Sequence, residues 1–425
     1  MRLLHLADLH LGKRVNGFSM IEDQRAILEQ ILNIAEEKAV QAALLCGDIY
    51  DKPVPSEEAV RLFDWFLTEL RNQKIPVLLI SGNHDSGERL SFGARIMEQS
   101  NVYFAGAFHG VPEPVCLQDE FGPVHFYLLP FIRPADVRHV WPEAQISSAQ
   151  QSVSYVLDQI RPDPEARNVL LAHQFVTGAL RSESEDVIVG TLDGIDAAVF
   201  SGFDYTALGH IHRAQSFEKG RVRYCGTPLK YSFSEANHEK SITIAELGPL
   251  PEGAQAGGST YRAAGPSANV LSADGQPADA QSGEAAGDSG KAEFRAEKCD
   301  LTIEAVPLTP LRDLREIRGS YEELCDRRNY IGTNTEDYLH ITLTDEHDII
   351  NVMSNLRTIY PNIMKLDYDN VRTRSGQSPA AGTDPADTIT PFELLTQFYE
   401  KQNHQALTED QAAYAQKMME KIWGE

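Results

Sequence analysis

Apolar positions in the first 240 residues fall into short runs separated by stretches of helical period. Leu3–Ala7, Ala42–Cys46 and Val77–Ser81 are near-continuous apolar runs and read as buried strands. Between them, Ile27, Leu28, Ile31, Leu32 and Ala35 have helical spacing. A second helix is expected after Ser56, a plausible N-cap followed by Glu57 and Glu58, with Phe63, Phe66, Leu67 and Leu70 on one face. Strand, helix, strand, helix, strand predicts an α/β core with parallel strands. Val102–Ala105, Val124–Phe131, Val169–Ala172 and Ala197–Phe200 read as further strands.

The pattern changes at about Glu252. From there to Lys291 the chain is Gly, Ala, Ser, Asp and Pro with almost no large apolar residue, the composition of an insertion or linker. Asp300–Val306, Tyr338–Thr344 and Ile363–Tyr368 then read as strands, and Ile349, Val352, Met353 and Leu356 as a helix. A second Gly/Pro/Ser/Asp stretch precedes two helix starts with capping-box spacing, Thr390–Glu393 and Thr408–Gln411. The expected organisation is a main domain over 1–250, a linker over 251–293, a small α+β domain over 294–370, a linker over 371–389 and a helical tail over 390–425. The last helix places Tyr414, Met418, Ile422 and Trp423 near one face. That face either folds back on the chain's own core or takes a partner helix, and the linker before it favours the partner.

At 425 residues the chain is too long for one ordinary core. No stretch approaches the roughly 20 apolar residues of a membrane-spanning helix. His5 and Asp8 come too early for the apolar region of a signal peptide. The five cysteines, Cys46, Cys116, Cys225, Cys299 and Cys325, are scattered without a CxxC pair, which points to a reducing cytoplasm. The net charge of −24 makes the chain a poor default partner for nucleic acid, because phosphate contacts need Lys and Arg. A bound divalent cation reverses the local sign of a carboxylate cluster, so this number does not exclude a phosphate substrate.

Four short motifs fall at or just after expected strand ends: Asp8-Leu9-His10, Gly47-Asp48-Ile49-Tyr50-Asp51, Gly82-Asn83-His84-Asp85 and Gly209-His210-Ile211-His212. His173 ends the run Val169–Ala172. Ligands of open α/β sheets bind outside the carboxyl ends of the strands, so residues 200 positions apart can meet there. Asp, Asn and His together suit Mn²⁺, Fe²⁺ or Zn²⁺ better than an all-oxygen cage. In an extended chain the two outer residues of Asp-x-His, and of His-x-His, point to one side. The glycines before Asp48, Asn83 and His210 suit tight turns. Taken singly, each piece has a plainer reading: Gly-Asp as a turn, His173 as a packed core histidine, Gly-His-x-His as a solvated loop. Their order, each piece after a strand, favours a site for two metals.

In that order the motifs resemble the calcineurin-like metallophosphoesterase superfamily, over residues 8–212. The resemblance implies a two-sheet α/β sandwich flanked by helices, here with a small α+β capping domain and a C-terminal helical tail. It implies one metal on Asp8, His10, Asp48 and His212 and another on Asp48, Asn83, His173 and His210, with Asp48 bridging. It places His84 against the scissile phosphate, oriented by Asp51, as a general acid; the other reading is that His84 only fixes its loop. Two metals about 4 Å apart lower the pKa of a bound water and clamp the attacking and leaving oxygens.

Phosphatases of the superfamily continue Gly-Asp-x-x-Asp with Arg-Gly and use Gly-Asn-His-Glu; here Lys52-Pro53 and Asp85 stand instead. The metal motif starting at the N-terminus, the segment Cys225–Glu235 after Gly-His-x-His, and the small domain with a helical tail are similar to the nuclease subunits of double-strand-break repair complexes. That similarity implies a Mn²⁺-dependent exonuclease on double-stranded DNA. It also implies an endonuclease on single strands and hairpins, working as a dimer with a coiled-coil ATPase that docks on the C-terminal helices. The stretch 252–291 matches no motif of that group. Lys13, Arg14, Arg213, Arg221, Arg223 and Lys230 are candidate phosphate contacts, with a solvated face as the plainer reading. The competing readings are a small-molecule or nucleotide phosphodiesterase and a scaffold with a dead site.

Overall fold

A computed structural model describes residues 1–185, 194–251 and 298–370, with scattered positions between 373 and 418. The expected linkers, apart from residues 251 and 373, and most of the tail lie outside the described residues. In chain order the strands are β1 (Arg2–Leu6), β2 (Arg14–Val15), β3 (Phe18–Ser19), β4 (Ala42–Cys46), β5 (Val77–Ile80), β6 (Val102–Ala105), β7 (Val115–Asp119), β8 (Gly122–Leu128), β9 (Arg167–His173), β10 (Tyr205–Gly209), β11 (Gln215–Phe217), β12 (Val222–Tyr224), β13 (Ser241–Leu247), β14 (Leu301–Pro307), β15 (Leu314–Gly319), β16 (Tyr338–Leu343) and β17 (Ile363–Tyr368). The two long helices are α1 (Ile21–Glu37) and α2 (Glu57–Asn72).

Two six-stranded sheets stack face to face, in the orders β14-β13-β1-β4-β5-β6 and β11-β12-β10-β9-β8-β7. The alternation of side chains along each strand divides the core into layers. From β4, Ala42, Leu44 and Cys46 enter the seam between the sheets, where they meet Phe126, Val169, Leu171 and Tyr205. Ala43 and Leu45 face the other way and pack under α1 and α2, against Ile27, Ile31, Phe66 and Leu70. The far face of the second sheet is covered by helices Pro134–Val140 and Ala149–Leu157. The result is a four-layer α/β/β/α body, held by apolar area removed from water on both faces of both sheets. Ser56 caps α2 as expected, its hydroxyl accepting from the Ala59 amide at 3.3 Å.

Three expectations change. Ala197–Phe200 is a 3₁₀ turn, not a strand: the Asp196 carboxylate accepts from the Ala198 amide at 2.9 Å and starts it. The strand beside β9 is β10, which runs parallel to it with Gly209 opposite His173. The run at Asp300–Val306, assigned to the second domain, is β14, which pairs antiparallel with all of β13 and edges the first sheet. The main body therefore extends past residue 250, to Pro307.

The small domain is a parallel sheet, β15-β16-β17, with a core of Leu324, Leu339, Ile341, Leu343, Leu356, Tyr360 and Ile363. It docks on the main body by apolar packing, with Leu314 and Tyr338 buried in the core under α1 and α2, and by specific polar ties. Arg312 reaches Glu22 (2.6 Å) and the buried Asp23 (2.9 Å), Tyr338 donates to Asp23 (2.7 Å), and Lys230 pairs with Asp313 (2.8 Å). In the tail, Thr408 and Gln411 make both bonds of a capping box, at 3.0 and 3.3 Å.

Candidate metal centre

Because β1, β4 and β5 run parallel to one another in the first sheet and β9 and β10 in the second, and His173 at the end of β9 bonds Cys46 O at the end of β4, their carboxyl ends open on one edge of the sandwich. The loops there are tied to one another. The Asp8 amide donates to Gly47 O (3.0 Å), His10 to Asp48 O (2.9 Å) and Leu11 to Ile49 O (2.9 Å), continuing the β1–β4 pairing beyond both strands. Asp8, His10, Asp48 and His210 all have positive φ, at 53°, 44°, 49° and 105°. Non-glycine residues held in that region cost about 1–3 kcal/mol each and persist where the surroundings over-determine them. The expected extended geometry is thereby corrected: Asp8 with His10, and His210 with His212, converge through left-handed turns past the strand ends, not through strand alternation.

Asp48 lies at the centre. Its Oδ1 accepts from the His84 amide (2.9 Å), which leaves Oδ2 facing His173 Nε2 (3.4 Å), His10 Nε2 (3.7 Å) and His84 Nε2 (3.9 Å). On one side, His10 Nε2 and His212 Nε2 stand 3.2 Å apart, with an Asp8 oxygen close to both. On the other, Asn83 Oδ1 is 3.1 Å from both His173 Nε2 and His210 Nδ1. Asp8 accepts the His210 amide with both oxygens, at 3.0 and 3.1 Å, and so ties the first and last motifs together. The seven residues marked out in the sequence thus form two adjoining donor groups that share Asp48.

The donor set fits divalent cations. His173 gives its Nδ1 proton to Cys46 O (2.8 Å), which turns Nε2 toward Asp48 and Asn83. His10 Nδ1 is buried without a hydrogen-bond partner. Burial holds His10 and His212 below the ordinary histidine value, and burial together with the neighbouring His173 takes His210 down to about 3. Burial opposes ionisation of Asp48, but His173, His10 and His84 outweigh it and keep the carboxylate ionised. Burial resists the charge on His173 as well, but the Asp48 carboxylate outweighs it and raises His173 to about 9, so His10, His210 and His212 stand neutral while His173 carries a proton that a bound cation would displace.

The glycines serve close approach more than turning. A Cβ on Gly209 would lie 1.9 Å from Cys46 O, and one on Gly82 2.1 Å from Asp48 Oδ1. Only Gly47, at φ +85°, also needs the left-handed region.

His84 is half-buried beside Asp48, and its Nδ1 is 3.1 Å from the main-chain oxygen of Asp51. The Asp51 carboxylate instead pairs with Lys13 Nζ at 2.8 Å, so Asp51 orients His84 through its backbone and not through its side chain. Of the other cationic candidates, Arg14 and Arg213 are exposed. Arg221 is at the amino end of β12, away from the centre, and bonds Asp204 O and Cys299 O, both at 2.9 Å. Arg223 holds Thr243 Oγ1 (2.9 Å) and Ser216 Oγ (2.7 Å). Lys230 bonds Ala236 O (2.6 Å) as well as Asp313. These last three are structural ties.

Several supporting residues had no structural role assigned from the motifs. Gln24, buried on α1, donates to His10 O (2.7 Å) and Tyr231 Oη (3.0 Å) and accepts from the Gly12 amide (3.0 Å). A lone amide inside the apolar stripe of α1 is a signal that was available. Asp85 accepts from the amides of Ile49, Tyr50 and Gly82 at 2.9–3.1 Å, clamping the Asp48 loop to the Asn83 loop. Glu235 is buried beside His212 and its ionisation is favoured down to about 2: burial resists it, and the His212 bond and Lys240 prevail.

The fold and this donor set are those of a metallophosphoesterase. The model of the calcineurin-like phosphoesterase family matches residues 1–214, and the model described as a type 5 capsule protein repressor C-terminal domain matches residues 310–403. The SbcD subunit of the SbcCD nuclease of Staphylococcus epidermidis is 31% identical over 370 residues, covering 86% of this chain and 85% of its own. A dimetal phosphatase from Danio rerio is similar in structure over 58% of this chain and 92% of its own, at TM-score 0.34 and 12% identity. The chain belongs to the calcineurin-like phosphoesterases, in the SbcD family of nuclease subunits.

Proposed function

We propose that this chain is the nuclease subunit of an SbcC–SbcD-type complex in DNA repair and recombination. It degrades double-stranded DNA from ends and cuts single strands and hairpins. Two divalent ions, Mn²⁺ by preference, would be held by Asp8, His10, Asp48 and His212 and by Asp48, Asn83, His173 and His210. When bound, such a pair supplies a water of lowered pKa and the positive charge that an in-line displacement at phosphorus needs. The carrying observation is the convergence of donors from both sheets around Asp48 Oδ2. The protein's own part is to hold that geometry and to supply a proton. His84, with Nδ1 held by Asp51 O, presents Nε2 beside the centre and, as imidazolium, protonates the leaving oxygen. Lys13, against Asp51 at the same rim, and the exposed Arg14 and Arg213 contact backbone phosphates.

The small domain caps this edge and helps to present DNA. The helical tail takes the coiled coil of the SbcC-type ATPase, in a heterotetramer built on a homodimer. Exposed Val54, Phe92 and Ile96 support the homodimer, because Arg89 bonds Pro53 O (2.9 Å) and places their two segments side by side. With no helix among the described residues long and apolar enough to cross a membrane, and five scattered free cysteines, we place the complex in the cytoplasm.

The scarcity of free cations at the rim favours a second reading, a small-molecule or nucleotide phosphodiesterase. The deciding experiment is cleavage of a hairpin-ended duplex with Mn²⁺, alone and with an SbcC-type partner, by the parent and by His84→Ala. The nuclease reading expects cleavage that the partner enhances, and loss in His84→Ala with metal retained. Turnover of cyclic nucleotides far above DNA under every condition would replace it with the second reading.

A further inference from the structure

Residues 226–240 join β12 to β13 and supply no candidate ligand, yet they back the first donor group. Tyr231 donates to Leu9 O (2.5 Å) and sets its ring edge against His10 and His212, with centroids 5.7 and 6.5 Å away. The Thr227 amide donates to His212 O at 3.2 Å. Glu235, with no exposed surface, accepts from Ser184 Oγ, which lies 2.7 Å from His212 Nδ1; Glu235 Oε1 is itself 3.5 Å from that nitrogen. Lys240 Nζ, also buried, closes the group on Glu235 Oε2 (2.5 Å), Thr227 Oγ1 (2.6 Å) and His212 O (3.0 Å).

We propose that Glu235, neutralised by Lys240, is a positioning residue that fixes the tautomer of His212 through Ser184. The proposal rests on His212 being a metal ligand. Its force comes from the other side of the ring. His212 Nε2 is 3.2 Å from His10 Nε2, so a His212 protonated on Nε2 would donate to His10. That bond would consume both lone pairs needed for an ion. A carboxylate acting on Nδ1–H keeps the proton on the far side and both Nε2 atoms open. A buried ion pair contributes little net stability over a well-packed apolar pair, so stability alone does not account for Glu235 and Lys240 behind the ligand. The segment also faces outward, where Lys230 meets Asp313 and the Phe233 ring meets His340 at 5.2 Å, so the small domain bears on the residues that set His212.

The test uses full-length protein with Glu235→Gln and Glu235→Gln/Lys240→Met, the second of which leaves no buried ammonium unpaired, and Ser184→Ala as a milder change. Mn²⁺ binding is followed by calorimetric titration, and the His212 tautomer by imidazole ¹⁵N shifts in the metal-free protein. One of the two ions is expected to bind about 10–100-fold more weakly in the Glu235 variants and to a smaller extent in Ser184→Ala, with the other ion unchanged. The His212 proton is expected to move toward Nε2. Folded variants with parental affinity for both ions and an unchanged tautomer would overturn the proposal. His212→Ala separates the two claims. If it too binds both ions as the parent does, the ligand assignment is wrong; if it alone loses an ion, only the role of Glu235 is.

Discussion

Gly209→Ala tests the packing of the two sheets at the floor of the centre. The new methyl would lie 1.9 Å from Cys46 O, 2.7 Å from His173 Nδ1 and 3.0 Å from Ala7 Cβ. Reaching an ordinary contact of about 3.4 Å with Cys46 O requires β10 and β4 to part by about 1.5 Å, since the nearest obstacle is main chain and not a flexible side-chain end. The methyl also enters the His173 Nδ1···Cys46 O bond of 2.8 Å, which holds Nε2 on the centre. Overpacking of this kind costs about 1–3 kcal/mol, which the folded body tolerates. Metal donors tolerate only about 0.2 Å, so a shift several times larger removes the ion held by Asn83, His173 and His210. The assay is elemental analysis of Mn²⁺-equilibrated, desalted protein beside circular dichroism. The expected result is native secondary structure, one ion in place of two, and at least a hundredfold loss of phosphodiesterase activity. A folded Gly209→Ala protein with both ions and parental activity would refute the argument that this glycine sets the spacing of the site.

Other perturbations separate stability from chemistry. Asp119 is buried between Arg167 and the N-terminal ammonium, the latter at 2.7 Å; Asp119→Asn leaves two buried cations under-compensated and should cost about 3–5 kcal/mol in urea unfolding. Burial raises the Asp119 pKa, but Arg167 and the N-terminus pull it below the carboxylate range, so this stability is present at neutral pH and is lost as pH falls below about 4; a parent and variant with the same acid-unfolding profile would contradict it. Mn²⁺ at a hundred times its Kd should raise parent stability by about 2.7 kcal/mol per ion, and Asp48→Asn should abolish the gain in a thermal-shift series. Arg312→Ala removes the ties to Glu22 and Asp23; it should speed hydrogen exchange at the β15–β16 end of the small domain while leaving Mn²⁺ affinity unchanged.

What was legible in the sequence followed from local rules. The uniform apolar runs of β4 and β5, the apolar middle of β9 at Val169–Ala172 and the period of α1 and α2 announced buried strands and covering helices, because parallel strands buried on both faces leave few polar positions. The motif residues gather because parallel strands end at one edge. Short or mixed strands were illegible: β11 and β12 have three residues each, and β10 gains its central place from pairing with β9 on one side and β12 on the other. The apolar Ala197–Phe200 read as a strand because its 3₁₀ turn depends on one capping bond from Asp196. The roles of Glu235 and Asp85 were hidden, although both lie in quoted motifs, because their partners, His212 and the amides of Ile49 and Tyr50, are decided by tertiary packing. Reading basic residues as phosphate contacts likewise grouped Arg221 and Arg223 with Lys13 and Arg14, although their guanidinium groups are spent on internal acceptors.

The most direct test of the central claim is anomalous diffraction from crystals grown with Mn²⁺. Two peaks about 3.5–4 Å apart on either side of Asp48 Oδ2, one against His10 and His212 and one against Asn83, His173 and His210, are expected. Peaks elsewhere on the molecule, or none at this edge with Mn²⁺ in excess, would contradict the account.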